Sequence, residues 1–173
     1  MDVFEAVRTV LAVRQYDSRP VPRETIDRIV EAGRLTASSM NRQPWHFVVV
    51  TEREGLERLA ELVRTGQYVR EAAFAIAVGA ERDSIFAVSD ASRAIQSMIL
   101  TAWDEGVGSN WTGFRGLDDA RTALGISEDY DVVAVLPFGY PAEERRAGKK
   151  ARKPIGEVAS SERFGTPYAP VDR

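Results

Sequence analysis

Thr36-Ala-Ser-Ser-Met-Asn-Arg-Gln-Pro-Trp-His-Phe-Val-Val-Val-Thr51 carries the reading of the fold in its two halves. The first half is polar, has no helical period, and ends at Pro44, whose ring biases Gln43 towards extended geometry; it reads as an ordered loop. The second half, Trp45 to Thr51, is aromatic and β-branched, as a strand requires. Its continuous Phe47–Val50 run predicts burial on both faces.

Helical periods flank this loop and strand. Val3, Phe4, Val7, Val10 and Leu11 predict an amphipathic helix ending near Arg14, and something must cover its stripe. Ile26, Ile29, Val30 and Gly33, entered through Pro20-Val21-Pro22, predict a second helix stopping near Thr36. Leu56, Leu59, Leu62 and Val63 give a third, ending at Thr65-Gly66, and Ala73–Ala80 a second strand. A long helix follows from Ser89, capped by Ser89 or Asp90 and stopped by Gly106. Leu100, Met98 and Trp103 widen its apolar stripe almost around the axis, which places it at the centre of the fold or at a subunit interface. Asp118–Leu124 forms a further helix with Gly125 as its stop, and Val132–Phe138 a third clear strand. The order predicts an α+β domain with helices against one central sheet. Beyond Pro154 the periodicity weakens, so the tail is either loose or dependent on a partner subunit.

At 173 residues, with 44% hydrophobic and 28% charged residues, the chain is expected to be a single globular domain over residues 1–173. No apolar run is long enough to span a membrane, and the acidic start Met1-Asp2-Val3-Phe4-Glu5 lacks a signal peptide's basic region, so a cytoplasmic location is expected. With no cysteine, a disulfide, a thiolate nucleophile and a cysteine-ligated metal are excluded. The single histidine, His46, excludes a multi-histidine metal site and reads as a packed residue rather than a base. Any chemistry is therefore expected to be borrowed from a cofactor. A net charge of −3 gives no reason to expect a nucleic-acid partner for the whole chain. The charge is uneven, however: Ala142–Lys153 holds six basic residues against Glu143 and Glu144.

Three constellations stand out. Gly106-Val-Gly-Ser-Asn-Trp-Thr-Gly113 follows a helix rather than a strand and has Trp111 where a dinucleotide fingerprint needs glycine, so it is not a Rossmann signature. It is either a helix stop with a turn or a stretch of backbone that a planar ligand can approach closely. In Lys149-Lys-Ala-Arg-Lys153, Lys150 and Arg152 would point to one face of an extended segment and could share a phosphate; the alternative is a solvated surface run. Ser38, Ser39, Asn41 and Gln43 are either turn formers or recognition groups for a ligand's hydroxyls and ring edge.

In their order and spacing, these pieces resemble the nitroreductase-like flavoprotein family. The resemblance runs from Arg14-Gln-Tyr16 through Thr36–Phe47, Ala94-Ile-Gln-Ser-Met98, Gly106–Trp111 and Pro137-Phe-Gly-Tyr-Pro141 to Lys150-Ala-Arg-Lys-Pro154. It implies a mainly antiparallel sheet flanked by helices and an intertwined homodimer with FMN bound by residues of both subunits. It also implies NADH or NADPH as reductant and a nitroaromatic, quinone or related electrophile as acceptor, served in ping-pong order. By the same resemblance, Arg14, Lys150 and Arg152 would grip the phosphate end. Ser38, Ser39 and Asn41 would contact the flavin from the neighbouring subunit, with Gln96 adding a polar contact. Gly108, Ser109, Asn110 and Trp111 would lie along the isoalloxazine. No side chain is assigned as catalytic and no metal is expected; Tyr68, Phe86 and Phe114 are pocket candidates by aromatic character. The chain departs from the family's common Arg-Arg-Ser-x-Arg opening at Val10-Leu-Ala-Val-Arg14. The alternative function is therefore a flavin- or small-molecule-binding dimer without redox turnover.

Overall fold

The computed structural model describes residues 1–113, 117–143 and 150–168. Its elements run α1 (Val3–Thr9), α2 (Arg23–Arg34), β1 (Trp45–Val50), α3 (Arg53–Leu62), β2 (Phe74–Glu81), α4 (Ala87–Asp104), β3 (Gly108–Ser109), α5 (Leu117–Ala123) and β4 (Tyr130–Gly139). The four strands make one sheet in the order β1-β2-β4-β3, antiparallel at every pairing.

β2 is buried on both faces, and its alternating side chains sort the helices into two layers. Phe74, Ile76 and Val78 meet Ile26 and Ile29 of α2 and Ala91, Ile95 and Met98 of α4, together with Ala134, Leu136 and Phe138 of β4. Ala75 and Ala77 face Leu56, Leu59 and Ala60 of α3 and Ala120 of α5. Fully burying a side chain such as Leu56 or Leu59 contributes about 1.5–3 kcal/mol. Gly33 lets α2 approach α4 closely, since a Cβ there would lie 3.0 Å from the Met98 side chain and 3.2 Å from the Phe47 ring.

Several expectations need correction. α1 ends at Thr9, not near Arg14, because the next residues run extended along the sheet edge: Val13 N donates to Ser109 O at 2.9 Å, and Ala12 bridges Ser109 in parallel. Among the described residues the α1 stripe is left largely uncovered, with Val3 76%, Phe4 69% and Val7 49% exposed and Ala6 the buried residue of the helix. β1 is not buried on both faces. Among the described residues it is an edge strand, paired with β2, and Val49 remains 38% exposed. His46, expected to be packed, is exposed, its ring edge-on to Tyr130 at 6.2 Å.

α4 begins at Ala87 behind Phe86, which makes no side-chain capping bond, so neither Ser89 nor Asp90 is the cap. Its stop is as expected, with Gly106 at φ 86°. The segment read as a turn after that stop supplies a further strand, β3, because Gly108 and Ser109 pair with Gly139 and Phe138. Residues 151–158 of the tail are exposed, and Ile155, Val158 and Phe164 point into solvent. Among the described residues no helix is long and apolar enough to cross a membrane.

Candidate functional site

The candidate residues fall into two groups that the sheet holds apart. The first sits at the β3 edge. Ser109 is buried and its carbonyl holds Val13, which places the exposed Arg14 beside the Gly108–Trp111 segment. Gly108 is a site of close approach, but the neighbour is internal: a Cβ there would lie 2.4 Å from Val13 Cγ2. Asn110 is buried, and its side-chain amide donates to the Tyr68 hydroxyl and, at 3.2 Å, to Trp111 O. Tyr16 is buried between these segments and donates to Val13 O at 2.7 Å. Burial pushes its phenol well above the ordinary value, Tyr68 nearby adds to the rise, and the Arg14 charge opposes it.

Lys150 and Arg152 belong to this side. Lys150 Nζ donates to Val7 O at 2.7 Å, in the last turn of α1, where carbonyls lack helical partners and a cation is favoured. Burial, and then repulsion by Arg152, hold the Lys150 ammonium below its ordinary value. Arg152 donates to Ala151 O at 2.9 Å. Among the described residues, none of Arg14, Lys150 and Arg152 pairs with a carboxylate, so the set retains its capacity for an anion. Arg145, Arg146 and Lys149 of the basic run lie outside the described residues, as does Phe114.

The second group sits at the other edge, where the chain enters β1. Ser38 and Ser39 are half-buried and Asn41 is exposed. Ser38 Oγ accepts from Gln43 N at 2.9 Å, a local turn bond of the kind its composition suggested. Ser39 donates from its backbone N at 3.0 Å and from its hydroxyl at 3.2 Å to the carboxylate of Asp90 in the first turn of α4. Gln96 lies exposed on α4, the helix that runs between the two groups. Phe86, 40% exposed, stands at the start of that helix, whereas Tyr68 belongs to the first group. Sequence reasoning missed Asp90 as an anchor and read it only as a cap. It also gave Tyr16 no role, although the tyrosine was visible in the Arg14-Gln-Tyr16 motif.

The register shows how far apart the groups are. Trp45, at the start of β1, pairs with Ala80, while Ser109 pairs with Phe138, which pairs with Phe74 at the opposite end of β2. Three strand spacings across and the length of β2 along the sheet put the groups on the order of 25 Å apart. The candidate polar residues thus lie in two groups at opposite edges of the sheet.

A mainly antiparallel sheet with helices on both faces defines an α+β protein of nitroreductase-like fold. The chain belongs to the nitroreductase family, whose profile matches residues 8–72 and 64–140. A Methanothermobacter thermautotrophicus protein, provisionally named NADH dehydrogenase/NAD(P)H nitroreductase, is 40% identical over 151 residues, covering 83% of this chain and 79% of that protein. A solved structure from Parabacteroides distasonis ATCC 8503, under the same provisional name, is 29% identical with a TM-score of 0.84, covering 91% of this chain and 96% of that one. The structure of a nitroreductase with bound FMN from Bacteroides fragilis NCTC 9343 is 28% identical with a TM-score of 0.76, covering 88% and 95%.

Proposed function

We propose that this protein is an FMN-dependent oxidoreductase that works as a homodimer, taking electrons from NADH or NADPH and delivering them to a nitroaromatic, quinone or related electrophilic acceptor. Family membership supports the reaction class, and the FMN named for the Bacteroides fragilis structure supports the cofactor. The observation that carries the reading is that the two groups of candidate polar residues lie at opposite sheet edges, together with the exposure of Val3, Phe4 and Val7 on α1. FMN is shorter than the span between the two groups. One flavin can therefore meet both only where the β3 edge of one protomer faces the β1 edge of another.

The residues fit the cofactor. Arg14, Lys150 and Arg152 would form a cationic set, without carboxylate partners among the described residues, suited to a phosphate monoester, and Lys150 is already opposed by its neighbour's charge. The Ser109–Trp111 backbone would flank the ring system. Ser38, Ser39 and Asn41 would approach from the second protomer, and Gln96 would add a polar contact from α4. When bound, FMN supplies two-electron chemistry that no side chain of this protein can perform, while the protein supplies orientation and electrostatics. No side chain is assigned as acid or base. If both substrates use one pocket in turn, steady-state kinetics will show the parallel lines of a ping-pong mechanism.

Purification without added cofactor tests the reading. A yellow protein that releases FMN at about one per subunit and oxidises NAD(P)H faster than free FMN supports it. Protein that neither contains nor takes up FMN refutes it. Binding of FMN without turnover would select the non-catalytic alternative.

A further inference from the structure

Ser38–Gln43 holds an unfavourable backbone conformation whose placement on the protein needs an anchor outside the loop. Met40, Asn41 and Gln43 all adopt positive φ, at 52°, 54° and 53°, and none is glycine. Such conformations are unfavourable for side chains with a Cβ and persist where the surroundings over-determine them. Several hydrogen bonds that hold the loop are internal: Asn41 N to Ser38 O, Arg42 N to Ser39 O, Gln43 N to Ser38 Oγ and Gln43 Nε2 to Asn41 O. Those bonds can shape the turn but cannot position it on the protein.

Besides the hydrogen bond from Trp45 N of β1 to Gln43 O, two side-chain contacts among the described residues tie the loop to other elements. Arg42 reaches Glu81 at 3.4 Å and Asp83 at 3.8 Å, in an exposed pairing of the kind that contributes little. The other contact is Asp90, whose side chain is fully buried. Both of its oxygens are used: Oδ2 accepts from Ser39 N, while Oδ1 accepts from the Ser39 hydroxyl and from the Arg93 guanidinium. A carboxylate is the group that satisfies three donors at once in this space, and its place in the first turn of α4 adds the favourable end of the helix dipole.

We propose that Asp90 is the positioning residue of the flavin site, a latch that locks the Ser38–Asn41 loop to the rigid central helix so that its side chains meet the flavin of the opposite protomer. This inference rests on the FMN reading above. Asp90 touches no substrate or cofactor; it acts through Ser39. The latch also offsets the cost of the left-handed residues in a loop that is mostly exposed, through charge-assisted hydrogen bonds from Ser39 to a buried carboxylate.

The test uses full-length Asp90→Asn, which preserves the side chain's outline but leaves one acceptor oxygen for three donors, with Asp90→Ala as the second variant. Two quantities are read: hydrogen exchange of the 38–43 amides in the flavin-free protein, and FMN affinity with the visible circular dichroism of the bound flavin. The expected result for either folded variant is at least tenfold faster exchange confined to 38–43, with amides 74–80 unchanged, an FMN dissociation constant raised at least tenfold, and an altered flavin dichroism band. A merely structural role for Asp90 would loosen the β2 amides as well and leave the dichroism of the remaining bound flavin unaltered. Exchange in 38–43 that does not change overturns the latch. So does faster exchange there with FMN affinity and dichroism equal to wild type. Failure of the wild-type protein to bind FMN overturns the cofactor reading instead, and shows itself before any variant is compared.

Discussion

Gly108→Ala distinguishes a glycine that serves internal packing from one kept open for a ligand. A new Cβ would lie 2.4, 2.7 and 3.0 Å from Val13 Cγ2, Cβ and Cγ1, closer than real contacts allow, and both sides are anchored by backbone pairing. Overpacking of this kind costs about 1–3 kcal/mol. Displacing Val13 would also weaken the Val13–Ser109 hydrogen bond, worth about 0.5–1.5 kcal/mol. Alanine recovers about 0.4–1 kcal/mol by restricting the unfolded chain. The net expectation is a loss of about 1–3 kcal/mol, or roughly 3–9 °C in melting temperature for a chain of this size. Urea unfolding of the flavin-free protein measures it, with Val13→Ala and the double variant completing a cycle. Val13→Ala removes the two Cγ contacts but keeps the Cβ at 2.7 Å, so the double variant should recover part of the Gly108→Ala loss, giving a coupling of about 1–2 kcal/mol in favour of the pair. A Gly108→Ala protein as stable as wild type, or a double variant with strictly additive losses, would refute the packing account.

Other perturbations probe the rest of the site. Lys150→Ala combined with Arg152→Ala should release FMN on gel filtration, each lost charge-assisted bond contributing about 1.5–3 kcal/mol; unchanged retention would assign the segment to the solvated surface. Lys150 titrates below its ordinary 10.5 because of burial and Arg152, and a bound phosphate favours its charged form, so FMN affinity should be full below that lowered value and fall as pH rises through it. Lys150→Arg should flatten that profile in fluorescence titrations. Phe4→Asp, on the exposed apolar face of α1, should convert a dimer to monomers in sedimentation equilibrium and lower FMN affinity with it; an intact dimer would place the interface elsewhere. Tyr16→Phe should cost about 0.5–1.5 kcal/mol in urea unfolding, through loss of the bond to Val13 O.

The strands and helices with long, clean periods were legible because their patterns are local. α2, α3, β2 and β4 fall within a few residues of their expected places, and the glycine stops at Gly106 and Gly125 hold, both at positive φ. Polar side chains are harder to read, because a serine or aspartate looks alike whether it caps a turn, holds a loop or meets a ligand. Asp90 carries a cap's signature but anchors a segment 51 residues away in the chain.

The sequence by itself determined the α+β class, the absence of cysteine chemistry, and a motif order that resembles one flavoprotein family, since each is written in residue type and spacing. Only the tertiary structure decided that α1 stops at Thr9, because extended pairing with Ser109 outcompetes the apolar period beyond it. It alone made β1 an edge strand, and it alone sent the two polar groups to opposite sheet edges. Strand order and register arise from long-range pairing, which no local pattern encodes.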